Sequence, residues 1–208
     1  MSESPSLPDL VFSLYCASSG RFFHAYTAME HELNLAIFAA VTRMTKRQKR
    51  KEVLLAVLGG QRMSPAKDTI KRLLRATKAN PKRLRFVDCL FAQLGELQFF
   101  RDRLAHNLTV LTEEEPHLFM NMNFAGIREL EKFEDIVFDV DALDAATHDL
   151  HTMRLLVATF FNHYVRDGSA AVPRLPTWRY KPSMLTRDRP LSRGNRKRRK
   201  HRPQSSEA

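Results

Sequence analysis

The segment FFRDRLAHNL, residues 99–108, follows two phenylalanines with two arginines, an aspartate, a histidine and an asparagine. A histidine titrates near neutrality and can take or give a proton. An arginine presents a rigid fork of donors that matches the oxygens of a phosphate or carboxylate. Asp102 and His106 are four residues apart, the spacing that stacks side chains on one face of a helix, so the acid could orient the imidazole and raise its basicity. An acid/base group and a fixed cation within two turns make this segment the first candidate for chemistry.

The helix that positions these residues is expected to start after ANP, with Asn80 as cap and Pro81 in the first turn, and to run to Leu108. At about 100° per residue, Phe86, Leu90, Leu94, Leu97, Phe100, Leu104 and Leu108 form one buried stripe. Phe91, Gly95, Phe99, Asp102 and His106 cluster on the opposite side. A helix with two apolar-containing faces has two partners, and a mid-helix glycine, at about 1 kcal/mol relative to alanine, suits the close approach of another backbone. Phe91, Gly95 and Phe99 therefore mark a candidate interface with a second copy of the chain; the alternative is that the phenylalanines only widen the core. Arg101 lies at the edge of the leucine stripe, and a desolvated guanidinium needs a partner. Either a carboxylate such as Glu30 pairs with it, or its long stem carries the head group round to where Asp102 and His106 point.

The rest of the chain reads as scaffold. Phe22, Tyr26, Met29, Leu33, Ile37 and Ala40 recur at helical spacing over residues 20–44. A shorter helix follows Gly59-Gly60, with Ser64 as cap, Pro65 in its first turn, and Ile70, Leu73 and Leu74 on its apolar side. HLFMNMNF and DIVFDV alternate with period two and predict a small β-hairpin. Helical period returns with Leu143, Ala146, Leu150, Met153, Val157 and Phe160, and Asp141 is the expected cap. Asp144, His148 and His151 share a face of that helix and are read as a solvated surface rather than a metal cluster. The expected fold is all-α, a helical bundle with a small β-hairpin insertion: a flexible N-terminus over residues 1–9, a helical domain over 10–167, and a basic, disordered tail over 168–208 without which the domain still folds.

Charge sharpens that division. The chain of 208 residues carries 34 Lys/Arg and 23 Asp/Glu, a net charge of +11. Residues 171–208 hold 12 of the basic and 2 of the acidic residues, so +10 belongs to the tail. Its run RGNRKRRKHRP, including Arg196, Lys197, Arg198, Arg199 and Lys200, binds polyanions by counterion release without reading sequence. Neither a secretory pattern nor a membrane-spanning apolar run is visible, which leads us to expect a cytoplasmic protein with no membrane partner. The two cysteines, Cys16 and Cys89, lack the spacing of a disulfide framework or zinc site and are read as small core residues.

Arg101, the polar Asp102, three further residues and His106 match the Arg-polar-x-x-x-His signature of the HEPN (higher eukaryotes and prokaryotes nucleotide-binding) superfamily, which the segment RDRLAHN resembles. The resemblance covers about residues 10–167, with the motif near the end of a core helix, between two other long helices. Asp102 stands where asparagine is more usual, and the hairpin belongs to only some branches. The resemblance implies a homodimer that brings two motifs into one cleft and cleaves RNA without a metal or other cofactor. On that view Arg101, Asp102 and His106 are catalytic, and Arg103 and Asn107 contact the RNA backbone. The alternative is a non-catalytic helical interaction or regulatory module, of the toxin–antitoxin or phage-defence type, with a regulatory protein partner and a structural motif.

Overall fold

The computed structural model describes residues 6–44, 52, 56, 60–112, 115, 117–122, 135–167 and 172–188. Among them are four α-helices, α1 (Leu7–Met44), α2 (Met63–Ala76), α3 (Pro81–His106) and α4 (Val140–Asp167). An antiparallel sheet is built from β1 (Leu108–Leu111), β2 (Phe119–Met122), β3 (Asp135–Phe138) and β4 (Thr186–Asp188), in that spatial order. No helix among the described residues is long and apolar enough to cross a membrane.

Helix α1 starts earlier than periodicity indicates. The Asp9 carboxylate accepts from the Ser6 backbone N–H at 3.2 Å, and the Ser6 hydroxyl accepts from the Asp9 N–H at 3.4 Å, a reciprocal cap that begins the helix at Leu7. Residues 7–9, expected to be flexible, are thus its first turn. The whole expected stripe of α1 is buried, as is that of α4. These two helices pack most extensively against each other. They run parallel: Arg21 bonds Asp144 at 3.2 Å, and Glu32, further along α1, lies near Arg154, further along α4.

Helix α2 runs antiparallel to α3, with Lys67 against Gln98 and Lys71 against Asp88 at 2.8 Å. Its N-terminus is not capped by Ser64. Instead Glu30 of α1 accepts from the Met63 N–H at 3.0 Å, and the Ser64 hydroxyl pairs with Gln98. It ends in a Schellman turn, Ala79 N–H to Leu74 O at 2.9 Å and Lys78 N–H to Arg75 O at 3.0 Å, which places Lys78 at φ 53°. Asn80 caps α3 as expected, accepting from the Arg83 N–H at 3.0 Å, with Pro81 in the first turn. Helix α4 is capped by Asp139, which accepts from the Ala142 N–H at 2.9 Å, rather than by Asp141.

The leucine stripe of α3 is buried as far as Leu104, but the helix stops at His106, and Leu108 enters β1 with 53% of its surface exposed. The predicted hairpin is β2 paired with β3, Phe119 opposite Phe138. Its inward residues on β2 are Phe119 and Asn121, while Met120 and Met122 are only partly covered. An aromatic cluster joins sheet to helices. Phe100 lies 5.5 Å from Phe22 and 5.2 Å from Phe138 between ring centroids, and Phe119 stacks on Tyr15 at 4.5 Å.

The basic tail does not begin at residue 168. Residues 172–188 lie on the domain: Tyr180 stacks on Phe100 at 5.5 Å, Leu185 is buried, and β4 pairs with β3. The order comes from one buried carboxylate. Asp149 of α4 accepts from the backbone N–H groups of Arg179 and Tyr180, both at 3.0 Å, and Gln93 of α3 bonds the Tyr180 carbonyl at 3.1 Å. A stretch without apolar period is thus docked by hydrogen bonds to its backbone. Cys16 and Cys89 are both exposed rather than in the core.

Candidate functional site

The last two turns of α3 carry the candidate residues in different directions: Arg101 lies against Tyr26 of α1, Arg103 and Asn107 meet Asn121 of β2, and His106 is exposed. The partner of Arg101 is its neighbour Asp102 rather than Glu30. Its guanidinium Nη1 donates to Asp102 Oδ1 at 2.9 Å and its plane sits over the Tyr26 ring, 5.4 Å from the centroid. The guanidinium is thus held between the Tyr26 ring of α1 and the carboxylate next to it on α3. The stem remains partly desolvated, and Nε is buried with no hydrogen-bond partner among the described residues.

Glu30 is not the partner of Arg101, because its carboxylate is engaged at the N-terminus of α2. It nonetheless shapes the site. The Tyr26 phenol is pushed above its usual range by burial first, then by the negative charges of Glu30 and Asp102, with Arg101 opposing. Tyr26 therefore serves as a neutral platform for the guanidinium.

Asp102 and His106 do not form the expected pair. No hydrogen bond joins them among the described residues; Asp102 holds Arg101, and His106 is exposed at the helix end. The carboxylate has one close cation, and that contact fixes where it points.

Arg103 and Asn107 are tied into the fold. A helix end leaves carbonyls without partners. Asn121 of β2, fully buried, donates to the Arg103 carbonyl at 3.2 Å and to the Thr109 hydroxyl at 3.0 Å, and accepts from Asn107 Nδ2 at 3.2 Å. The Arg103 guanidinium reaches back to the Asn121 carbonyl at 3.5 Å. One strand asparagine thus closes the C-terminus of α3 and sets the exit angle of the chain beneath His106.

The interface candidates separate. Phe91 belongs to the core, buried under Lys71 whose ammonium lies 5.8 Å from its ring, because α2 covers that stretch of α3. Phe99 keeps 39% of its surface exposed, and a Cβ on Gly95 would meet nothing within 4 Å. Only these two remain on the surface. Arg196, Lys197, Arg198, Arg199 and Lys200 lie outside the described residues. Asp144 pairs with Arg21 rather than joining His148 and His151.

Three residues escaped the sequence reading: Tyr26, taken only as part of a stripe; Asn121, a polar residue in an alternating strand; and Lys67. The ammonium of Lys67 bonds Gln98 Oε1 at 3.1 Å, and its pKa is lowered by burial, with Asp102 near enough to oppose that shift. A tyrosine in place of phenylalanine in an apolar stripe was the one legible signal.

These elements define a helical bundle closed by a small antiparallel sheet, with a polar junction at the end of its third helix. Comparison with protein-family models, curated proteins and solved structures found no match to this chain.

Proposed function

We propose that the chain is an RNA-binding protein of HEPN type that acts as a homodimer and cleaves RNA without a metal at Arg101, Asp102 and His106. The observation that supports this best is the Arg101 guanidinium, folded over Tyr26 and bonded to Asp102, which stands four residues before the exposed His106 on α3. An acid/base group accessible at a helix end and a cation preset beside it fit a phosphodiester. In the step we propose, an imidazole removes the 2′-hydroxyl proton and the 2′-oxygen attacks phosphorus. Arg101 bears the charge of the pentacoordinate phosphate, and the 5′-oxygen leaves with a proton from the second imidazole of the dimer. The products are a 2′,3′-cyclic phosphate and a 5′-hydroxyl. The basic run after β4 adds affinity that is independent of sequence.

A second reading has its own observation. With Asp102 bonded to Arg101 and Arg103 and Asn107 bonded to Asn121, three polar residues of the motif segment are used within the fold. That favours a non-catalytic interaction or regulatory module with a protein partner. Incubating the protein with RNA in chelator decides between them. Cleavage that ends in cyclic phosphate and is lost in His106→Ala supports the enzyme. No cleavage, with a lowered melting temperature for Arg101→Ala, supports the structural module.

A further inference from the structure

Lys67 is a cation in an awkward place. It projects from the first turns of α2 onto α3, where it donates to the neutral amide oxygen of Gln98, 3.1 Å away and one turn before Asp102. Among the described residues no carboxylate lies within ion-pairing distance of it, whereas Lys71, one turn further along the same helix, is bound to Asp88 at 2.8 Å. Burial lowers the Lys67 pKa, with the charge of Lys71 adding to that shift and those of Asp68 and Asp102 opposing it. Three residues after Gln98 on α3, Arg101 keeps a buried Nε with no partner among the described residues, and buried polar groups of this kind are seldom left unsatisfied. Asp102 thus bonds Arg101 on its own helix, and Lys67 of α2, held by Gln98 one turn earlier, is near enough to feel its charge.

We propose that Lys67 is a substrate-contacting residue of the same site, binding a phosphate of the RNA strand other than the one that Arg101 holds. The inference rests on the RNA reading above. The geometry supplies a division of labour. Gln98 and Asp102 are four apart on α3, so the ammonium held by Gln98 sits one turn before the carboxylate, and His106 sits one turn after it. A strand lying along this side of α3 meets Lys67 first and the exposed imidazole last. Residues four apart are about 6 Å apart along a helix, so the full interval from Gln98 to His106 is about 12 Å, roughly two phosphate spacings of an extended strand. Lys67 therefore contacts a phosphate about two along from the one that reacts at His106. Asp102 keeps Arg101 pointed into the site until the anion arrives, and Lys67 supplies the positive charge that offsets the carboxylate.

The test measures binding of the full chain to fluorescein-labelled oligouridylate across a salt series by anisotropy. Lys67→Gln is compared with wild type, with Lys67→Arg, and with Arg72→Gln, which removes the same charge from an exposed position of α2. Loss of one charge-assisted contact should weaken binding about tenfold and lower the salt slope by about 0.7, while Lys67→Arg recovers most of the affinity. Arg72→Gln should leave the slope near wild type. Equal losses for Lys67→Gln and Arg72→Gln, or no loss for either, overturn the role of Lys67 and leave RNA binding standing. Absence of binding by the wild type overturns the RNA reading, and the role of Lys67 with it.

Discussion

Replacing Asp149 with alanine should loosen residues 172–188 from the bundle. The carboxylate accepts two backbone N–H groups at 3.0 Å, from Arg179 and Tyr180, and a third bond from Gln93 at 3.3 Å. Hydrogen bonds to a charged group contribute about 1.5–3 kcal/mol each. The Arg179 side of the segment is open to water, which can replace one bond, whereas Tyr180 is 1% exposed and its N–H would be left buried and unpaired. The expected loss is therefore about 3 kcal/mol, or roughly 6–12 °C in melting temperature for a chain of this size. The assay is thermal unfolding by circular dichroism, joined to amide exchange read at Tyr180. Removing residues 189–208 should leave both unchanged, and removing residues 171–208 should destabilise the domain, because Tyr180 and β4 then no longer cover Phe100 and pair with β3. A melting temperature within 2 °C of wild type for Asp149→Ala, with the Tyr180 amide equally protected, would refute the argument.

Lys78→Gly should raise stability by about 1 kcal/mol, measured by urea unfolding, because the φ of 53° that the Schellman turn requires is unfavourable for a side chain with a Cβ. Gly95→Ala should likewise stabilise the isolated chain by about 1 kcal/mol, since its Cβ meets nothing, but should weaken self-association in light scattering if a second backbone packs there. The His151 pKa is lowered by burial first, then by the positive charges of Arg154, His148 and His24. Its folded value is below the unfolded one, so the unfolded state binds more protons between the two. Stability should fall as pH drops below about 6.5, and His151→Gln should flatten that part of the profile in pH-dependent melts.

What could be read from the sequence was periodic. The stripes of α1, α3 and α4 declare themselves because each buries one side of a 3.6-residue repeat, and Asn80-Pro81 marks a helix start by local chemistry alone. What could not be read was tertiary. Asn121 is buried because the end of α3 needs a donor for the Arg103 carbonyl, and nothing in an alternating strand announces that need. Residues 172–188 have no period to detect, since Asp149 holds their backbone and the side chains buried there, Tyr180 and Leu185, follow no helical or strand repeat. Phe91 was placed at an interface because helical projection shows two apolar faces without saying which neighbour covers the second; α2 does. At the site, spacing pointed to a pair of Asp102 and His106, but the adjacent guanidinium, held over Tyr26, takes the carboxylate instead. Lys67 could not be found by spacing, because its place beside Asp102 depends on the antiparallel packing of α2 on α3.

The most direct test of the central claim is incubation of the purified protein with defined RNA in excess chelator, with the 3′ ends of any fragments analysed. The account predicts fragments ending in 2′,3′-cyclic phosphate for the wild type and none for His106→Ala, which should melt within a few degrees of wild type because His106 is exposed. Cleavage that persists at full rate in His106→Ala, or that vanishes for the wild type when chelator is added, would contradict it.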